Sequence, residues 1–198
     1  MNNFKSSWIV VIVILIILGG VGYVWMFKSK SETALSQDLH VKDVPVLGRE
    51  HVKVGTKVEY SSNPPTSGEH FEVWTKSGVY DKPTEDGHLV HSLEHGYVII
   101  SHNCEIQNKI SNIKDQKDGT KSAGIDNKNC KDFVEKLEGF VREDSWKMIL
   151  IPRPSLDTDF ALTAWGKIDK FNIQDASINR VNAFKEAFRS QGPEQTME

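Results

Sequence analysis

The first signal along the chain is an unbroken apolar run: from Trp8 to Met26, "WIVVIVILIILGGVGYVWM" goes 19 residues without a charge. At ~1.5 Å per residue that is long enough to span a bilayer core. Trp8, Tyr23 and Trp25 stand near its ends, where amphipathic rings favour the headgroup region. A cleaved leader would have a shorter apolar region and a small-x-small cleavage site, which "VWMFKSKSE" lacks. Residues 1–30 are therefore expected to form an uncleaved single-pass anchor and residues 31–47 a tether.

From residue 48 the pattern breaks into short segments. "HVKVGTKVEY" alternates as a strand does, while "YVIISH", "KMILIP" and "FALTAWGKI" are apolar runs of strand length. In "SSNPPTSGEH", Pro64 and Pro65 fix their own φ angles and push their predecessors out of helical geometry, which predicts a rigid turn. "KDFVEKLEGFVRE" puts Phe133, Val134, Leu137, Phe140 and Val141 on one helical stripe. "DASINRVNAFKEAFRS" predicts a further helix, with Asp175 as its N-cap and Gly192 as a stop. Residues 105–129 are polar, rich in Asn, Gly and Ser, and predict a loop insertion. Pro152 and Pro154 are expected to end a strand, with Arg153 between them solvated, the less favoured alternative being contact with an anionic ligand. Without a regular βαβ alternation the expected fold is α+β: a small, mostly antiparallel sheet with two or three helices, on an N-terminal transmembrane helix. The globular part is expected over 48–190, with 191–198 a C-terminal tail.

The candidate chemistry sits in "HLVHSLEHG", residues 88–96. On a helix, His91 and His95 are one turn apart and His88 shares their face, so they could hold one ion. On a strand, at ~3.3 Å per residue, His91 and His95 lie ~13 Å apart, too far for a common metal. The sequence favours a short helix from Thr84 or Glu85 to Gly96, although Gly87 weakens it. His91-x-x-Glu94-His95 also matches the inverted zincin spacing, in which two histidines hold zinc and the glutamate activates water. Such a site needs a third protein ligand from elsewhere in the chain. The alternative is a polar core in which Glu94 orients an imidazole.

Charge and cysteine content narrow the setting. All 27 acidic residues lie beyond residue 30 and three of the 24 basic ones flank the apolar run, so the domain is mildly acidic and no nucleic-acid partner is expected. Lys5 precedes the run and Lys28 and Lys30 follow it, so the positive-inside rule does not orient it. Cys104 and Cys130 are either two free thiols or one disulfide. A disulfide would place the domain on the oxidising, extracytoplasmic side of the membrane.

Four motifs in order, "NPPTSGEH" (Asn63 to His70), "GVYDKP" (Gly78 to Pro83), "LVHSLEHGYVII" (Leu89 to Ile100) and "ALTAWG" (Ala161 to Gly166), resemble a bacterial family, domain of unknown function 3105. The resemblance covers about residues 48–168. It implies a membrane-anchored or secreted domain, and that Cys104 and Cys130 belong together. The chain departs from the family pattern at Glu69, where proline is common, and in the long polar insertion between the cysteines. It also draws attention to His70, which a rigid "PPTSG" turn would present at a fixed position.

The expected metal ligands are thus His70, His91 and His95, with His88 in reserve and copper or zinc as the ion. Glu94 is expected to hold an imidazole or to act as a general base. His102 with the thiolates is another set if the cysteines are reduced, and His40 and His51 are expected to be solvated. Trp74, Trp146 and Trp165 are expected in the core or at its rim, and Tyr80 in the cleft with the histidines. Three functions fit: an extracytoplasmic metal-binding domain, a metallohydrolase with Glu94 as base, or a structural and interaction domain with a polar His/Glu core.

Overall fold

The computed structural model describes residues 39–104 and 122–197. The expected membrane span, the first part of the tether and residues 105–121 of the polar insertion lie outside the described residues. Among the described residues no helix is long and apolar enough to cross a membrane.

The domain is α+β. Its strands are β1 (Lys42–Asp43), β2 (His51–Val52), β3 (His70–Phe71), β4 (Gly78–Val79), β5 (Val98–His102), β6 (Met148–Pro152), β7 (Phe160–Ala164) and β8 (Lys167–Phe171). The helices are α1 (Asp86–Glu94), α2 (Ser122–Glu143) and α3 (Ile178–Phe188). Six strands form one sheet in the order β1-β8-β7-β5-β6-β4, and β2 and β3 form a separate parallel pair. In the larger sheet β6 pairs in parallel with both β5 and β4, and the other pairings are antiparallel.

Sheet parity explains why β5 and β6 read as continuous apolar runs: both faces are covered. Val98, Ile100, Met148 and Leu150 point to one side, where they pack with Phe133, Leu137 and Val141 of α2 and Val181 and Phe184 of α3. Ile99, Ile149 and Ile151 point to the other, against Leu89 and Leu93 of α1 and Tyr97, with Trp74, Tyr80 and Trp165 at the edge. Each fully buried side chain of this size contributes ~1.5–3 kcal/mol. α1 is thereby fixed on the sheet by its Leu89 and Leu93 face, leaving His91 and Glu94 for a different contact.

Several sequence expectations are corrected. "FALTAWGKI" is a hairpin, not one strand: Ala164 pairs with Lys167 across the two-residue turn Trp165–Gly166, with Gly166 at φ +67°, a conformation that hairpin turns assign to glycine. Only His51–Val52 of "HVKVGTKVEY" is strand, because the chain turns at once, Thr56 N–H donating to Lys53 O. Residues 122–129, expected in the loop, are the first turns of α2, which carries Cys130. Its cysteine is bonded to Cys104, with Cα atoms 5.6 Å apart. Ser177, not Asp175, caps α3, its Oγ accepting from Arg180 N–H at 3.1 Å, while Asp175 sits in a preceding 3-10 turn. Trp146 is about half exposed, with the Arg189 guanidinium 5.2 Å from its ring centroid.

Arg153 is not solvated. Its two amino groups bind both carboxylate oxygens of Asp86 at the start of α1, and its Nε donates to Asn63 Oδ1 at 2.7 Å. One guanidinium therefore ties the β6–β7 loop to both the helix and the "NPPTSG" turn that lead to the candidate site. The pair is 13% and 30% exposed, between the surface regime, worth ~0–1 kcal/mol, and the buried one, where losing a partner costs ~3–5 kcal/mol. Arg153→Ala is expected to cost ~2 kcal/mol by denaturant unfolding. Arg153→Lys should recover little, because an ammonium cannot fork onto a carboxylate. A loss below ~0.5 kcal/mol for the alanine variant would contradict this role.

The chain beyond α3 returns to the C-terminal end of α1. Ser190 N–H donates to Gly96 O and Glu194 N–H to Glu94 O, and Lys147 Nζ bridges His95 O and Thr196 O at 2.7 and 2.8 Å.

Candidate metal centre

Two short elements bring the side chains together. The β2–β3 pair sets His51 opposite His70 and Val52 opposite Phe71. α1 lies against β3, and Gly87 explains itself there: a Cβ at that position would meet the Phe71 ring at 2.7 Å. That close approach lets the Phe71 carbonyl accept a hydrogen bond from His91 Nδ1–H at 2.6 Å. The "PPTSG" turn is held from the far side, since Thr66 O accepts from Gly166 N–H, and its Gly68 carbonyl accepts from His70 Nδ1–H at 2.8 Å. Three of the four motifs noted in the sequence thus converge on one place, and Trp165 of "ALTAWG" stands edge-on to His70 with ring centroids 6.4 Å apart.

His51, His70 and His91 form a near-equilateral triangle, with ring centroids 4.8, 4.8 and 4.9 Å apart. With Glu94 they offer four ligand atoms, all within 4.8 Å of one another. His70, His91 and Glu94 are buried, whereas the His51 side chain is 43% exposed. The two backbone carbonyls matter because each claims a ring N–H at Nδ1. The neutral rings of His70 and His91 are thereby held as the tautomer whose Nε2 carries a lone pair. His70 Nε2 faces Glu94 Oε2 at 2.9 Å, and His51 Nε2 lies 3.9 Å from the same oxygen. Two acceptors facing each other at 2.9 Å require a cation or a proton between or beside them.

Glu94 is 2% exposed, and a buried carboxylate must be compensated. Arg49 supplies the compensation, its Nε donating to Glu94 Oε1 at 2.7 Å. Burial holds His91 below the ordinary imidazole value of 6.5, the Phe71 hydrogen bond opposes this, and the neighbouring His95, His70 and His51 reinforce it. His102 is held down in the same way, by burial against an opposing Glu138. The sign of the consequence is fixed. Below pH ~6.5 the unfolded chain takes protons that these folded imidazoles refuse, so metal-free protein is expected to lose stability as pH falls from there. Each group adds a slope of at most ~1.4 kcal/mol per pH unit. Urea unfolding between pH 5 and 8 checks this, with His102→Phe removing its own share; a stability that rises on acidification through this window would contradict it.

The structure distributes the expected residues unevenly. His70, His91 and Glu94 lie in the group. His95 faces His91, Nε2 to Nε2 at 3.0 Å, with Glu194 Oε1 3.7 Å away and the Trp74 ring 5.0 Å away. His88 lies apart, its Nδ1–H donating to Val73 O and its ring against Phe71. His102 has no thiolate beside it, because Cys104 and Cys130 are bonded to each other. Tyr80 packs beside the apolar cluster under α1, its hydroxyl donating to Lys76 O. His40 is exposed as expected, whereas His51 is corrected from a solvated tether residue to a member of the group. Arg49 carries no mark in the sequence pattern. The available signal was the alternation of "HVKV", which places a histidine on a strand edge, but nothing local says which strand lies opposite.

A family model described as "Protein of unknown function (DUF3105)" matches residues 51–198. No curated protein and no solved structure matches.

Proposed function

The chain belongs to the DUF3105 family, and from the geometry of its own side chains we propose that it is a domain that binds one transition-metal ion, copper or zinc, through His51, His70, His91 and Glu94. The observation that carries the reading is the pair of tautomer-fixing carbonyls. Gly68 O and Phe71 O hold the Nδ1–H of His70 and His91 and leave Nε2 as the lone-pair nitrogen of each ring, His70 Nε2 facing Glu94 Oε2 and His91 Nε2 facing His95 Nε2; such outer hydrogen bonds are what metal-binding imidazoles receive.

The donor set fits. Three imidazole nitrogens and a carboxylate oxygen suit zinc or copper(II), and burial keeps His91 in the neutral form that binds metal. Bonds of ~2.1 Å put opposite ligands no more than ~4.2 Å apart, so the 4.8 Å spread must close by roughly half an ångström. The half-exposed His51 is the ligand freest to move. Glu94, within reach of the ion and already engaged at both oxygens, reads as a ligand rather than as a general base. His95 sits against His91, and His88 lies apart from the group. The apolar run at Trp8–Met26 supports a single-pass membrane anchor, and the Cys104–Cys130 bond supports an extracytoplasmic location.

The test is a thermal unfolding scan of metal-stripped protein with added copper(II) or zinc. Binding to the folded state alone stabilises by ~2.7 kcal/mol at a free-metal concentration 100 times Kd, which for this size raises Tm by roughly 5–11 °C. Chelator should reverse the shift. An unchanged Tm with both ions would favour a purely structural polar cluster.

A further inference from the structure

The metal reading leaves a charge unaccounted for. Three neutral imidazoles and one carboxylate around a divalent ion leave a single positive charge, and the Arg49 guanidinium bound to Glu94 Oε1 adds another. That excess lies against groups that are almost fully buried, where uncompensated charge is costly. Two further carboxylates are nearby. Glu50 Oε2 accepts from the Arg49 backbone N–H, and Glu194 stands beyond His95 with its side chain 45% exposed. Neither contacts the imidazoles of His51, His70 or His91 among the interactions seen. Arg49 itself uses only Nε: among the described residues no group bonds its two terminal amino groups, and its side chain is 52% exposed. His51, two residues on, is the exposed corner of the triangle. The open side of the cluster is therefore the side that carries a fixed guanidinium with its outer fork unused.

Resting on the metal reading, we propose that the loaded site binds a small oxyanion, of the carboxylate or phosphate type, on its Arg49 and His51 side, with the terminal amino groups of Arg49 as the anion's protein partner. A guanidinium fork matches two oxygens of such an anion, and an ammonium does not. The site is then a receptor for metal plus anion, and Arg49 determines specificity for charge and shape.

The experiment loads the full-length protein with copper(II) and follows its visible and electron paramagnetic resonance spectra during titration with acetate and, separately, with inorganic phosphate. Wild-type protein should show a saturable spectral change with at least one of the two, and which one responds separates carboxylate from phosphate chemistry. Arg49→Lys, which keeps a cation beside Glu94, should weaken the anion at least ~10-fold per bound copper, and Arg49→Gln at least as much. Copper binding with no spectral response to either anion, or an equal response in Arg49→Gln, would overturn the anion site while leaving the metal reading intact. Because Arg49 also holds Glu94, anion affinity is compared per bound copper in both variants, and wild-type anion affinity in copper-loaded Arg49→Lys would also overturn the anion site. Failure of the wild-type protein to take copper or zinc would overturn the metal reading itself, and this proposal with it.

Discussion

Alanine at His70 is expected to weaken metal binding at least ~100-fold, about 2.7 kcal/mol, in a competition titration against a chelator of known affinity. His70 is fully buried, its ring is fixed by Gly68 O, and its Nε2 faces Glu94. Alterations to groups that merely orient metal ligands already cost ~10–100-fold, so loss of a fixed ligand should exceed that range. The same substitution strips Glu94 Oε2 of its 2.9 Å partner, so metal-free protein should also lose ~1–3 kcal/mol of stability. His51→Ala is the control. That side chain is 43% exposed and lies 3.9 Å from Glu94 Oε2, beyond hydrogen-bond distance, so its loss should weaken metal while costing metal-free protein less stability than His70→Ala. Equal metal affinity in wild-type and His70→Ala protein would remove His70 from the site.

The second large effect lies away from the site. Replacing Cys104 and Cys130 together by serine should cost ~3.5 kcal/mol, the loop-closure value for a separation of 26 residues. Both sulfurs are buried in the core beneath α2, so the serine hydroxyls would add to the loss. Chemical denaturation of oxidised and reduced protein should show a similar gap. Because α2 and α1 cover opposite faces of the sheet, metal affinity should change little. A loss under ~1 kcal/mol would contradict this account of the bridge.

These predictions draw on features of unequal visibility in the sequence. α1 could be read because Leu89 and Leu93 recur at helical spacing and Gly96 follows the last turn, and that helix alone places His91 and Glu94 on neighbouring turns. The strands β5 and β6 could be read from uninterrupted apolar runs. What could not be read was pairing at a distance. β2 has two residues, and its partner β3 lies across an irregular stretch containing two prolines, so no local period announces that His51 faces His70. The same limit hid Arg153, whose partners Asp86 and Asn63 are 67 and 90 residues away and whose flanking prolines suggested a solvated loop. The start of α2 was hidden differently. Asn, Asp and Gly are weak helix formers, so local propensity argues against a helix there, and what Asn127 bonds, the Cys104 carbonyl beside the Cys104–Cys130 bridge, lies 23 residues away.

The central claim is that the histidine triangle and Glu94 hold a metal ion. The most direct test is an X-ray absorption spectrum of the protein, purified without a histidine tag and loaded with one equivalent of copper or zinc. The account predicts stoichiometric metal, with a first shell of about three imidazole nitrogens and at least one further oxygen at ~2.0–2.2 Å, losing imidazole scattering in His70→Ala. A protein that retains no metal after loading, or a bound ion whose shell is the same in wild-type and His70→Ala protein, would contradict it.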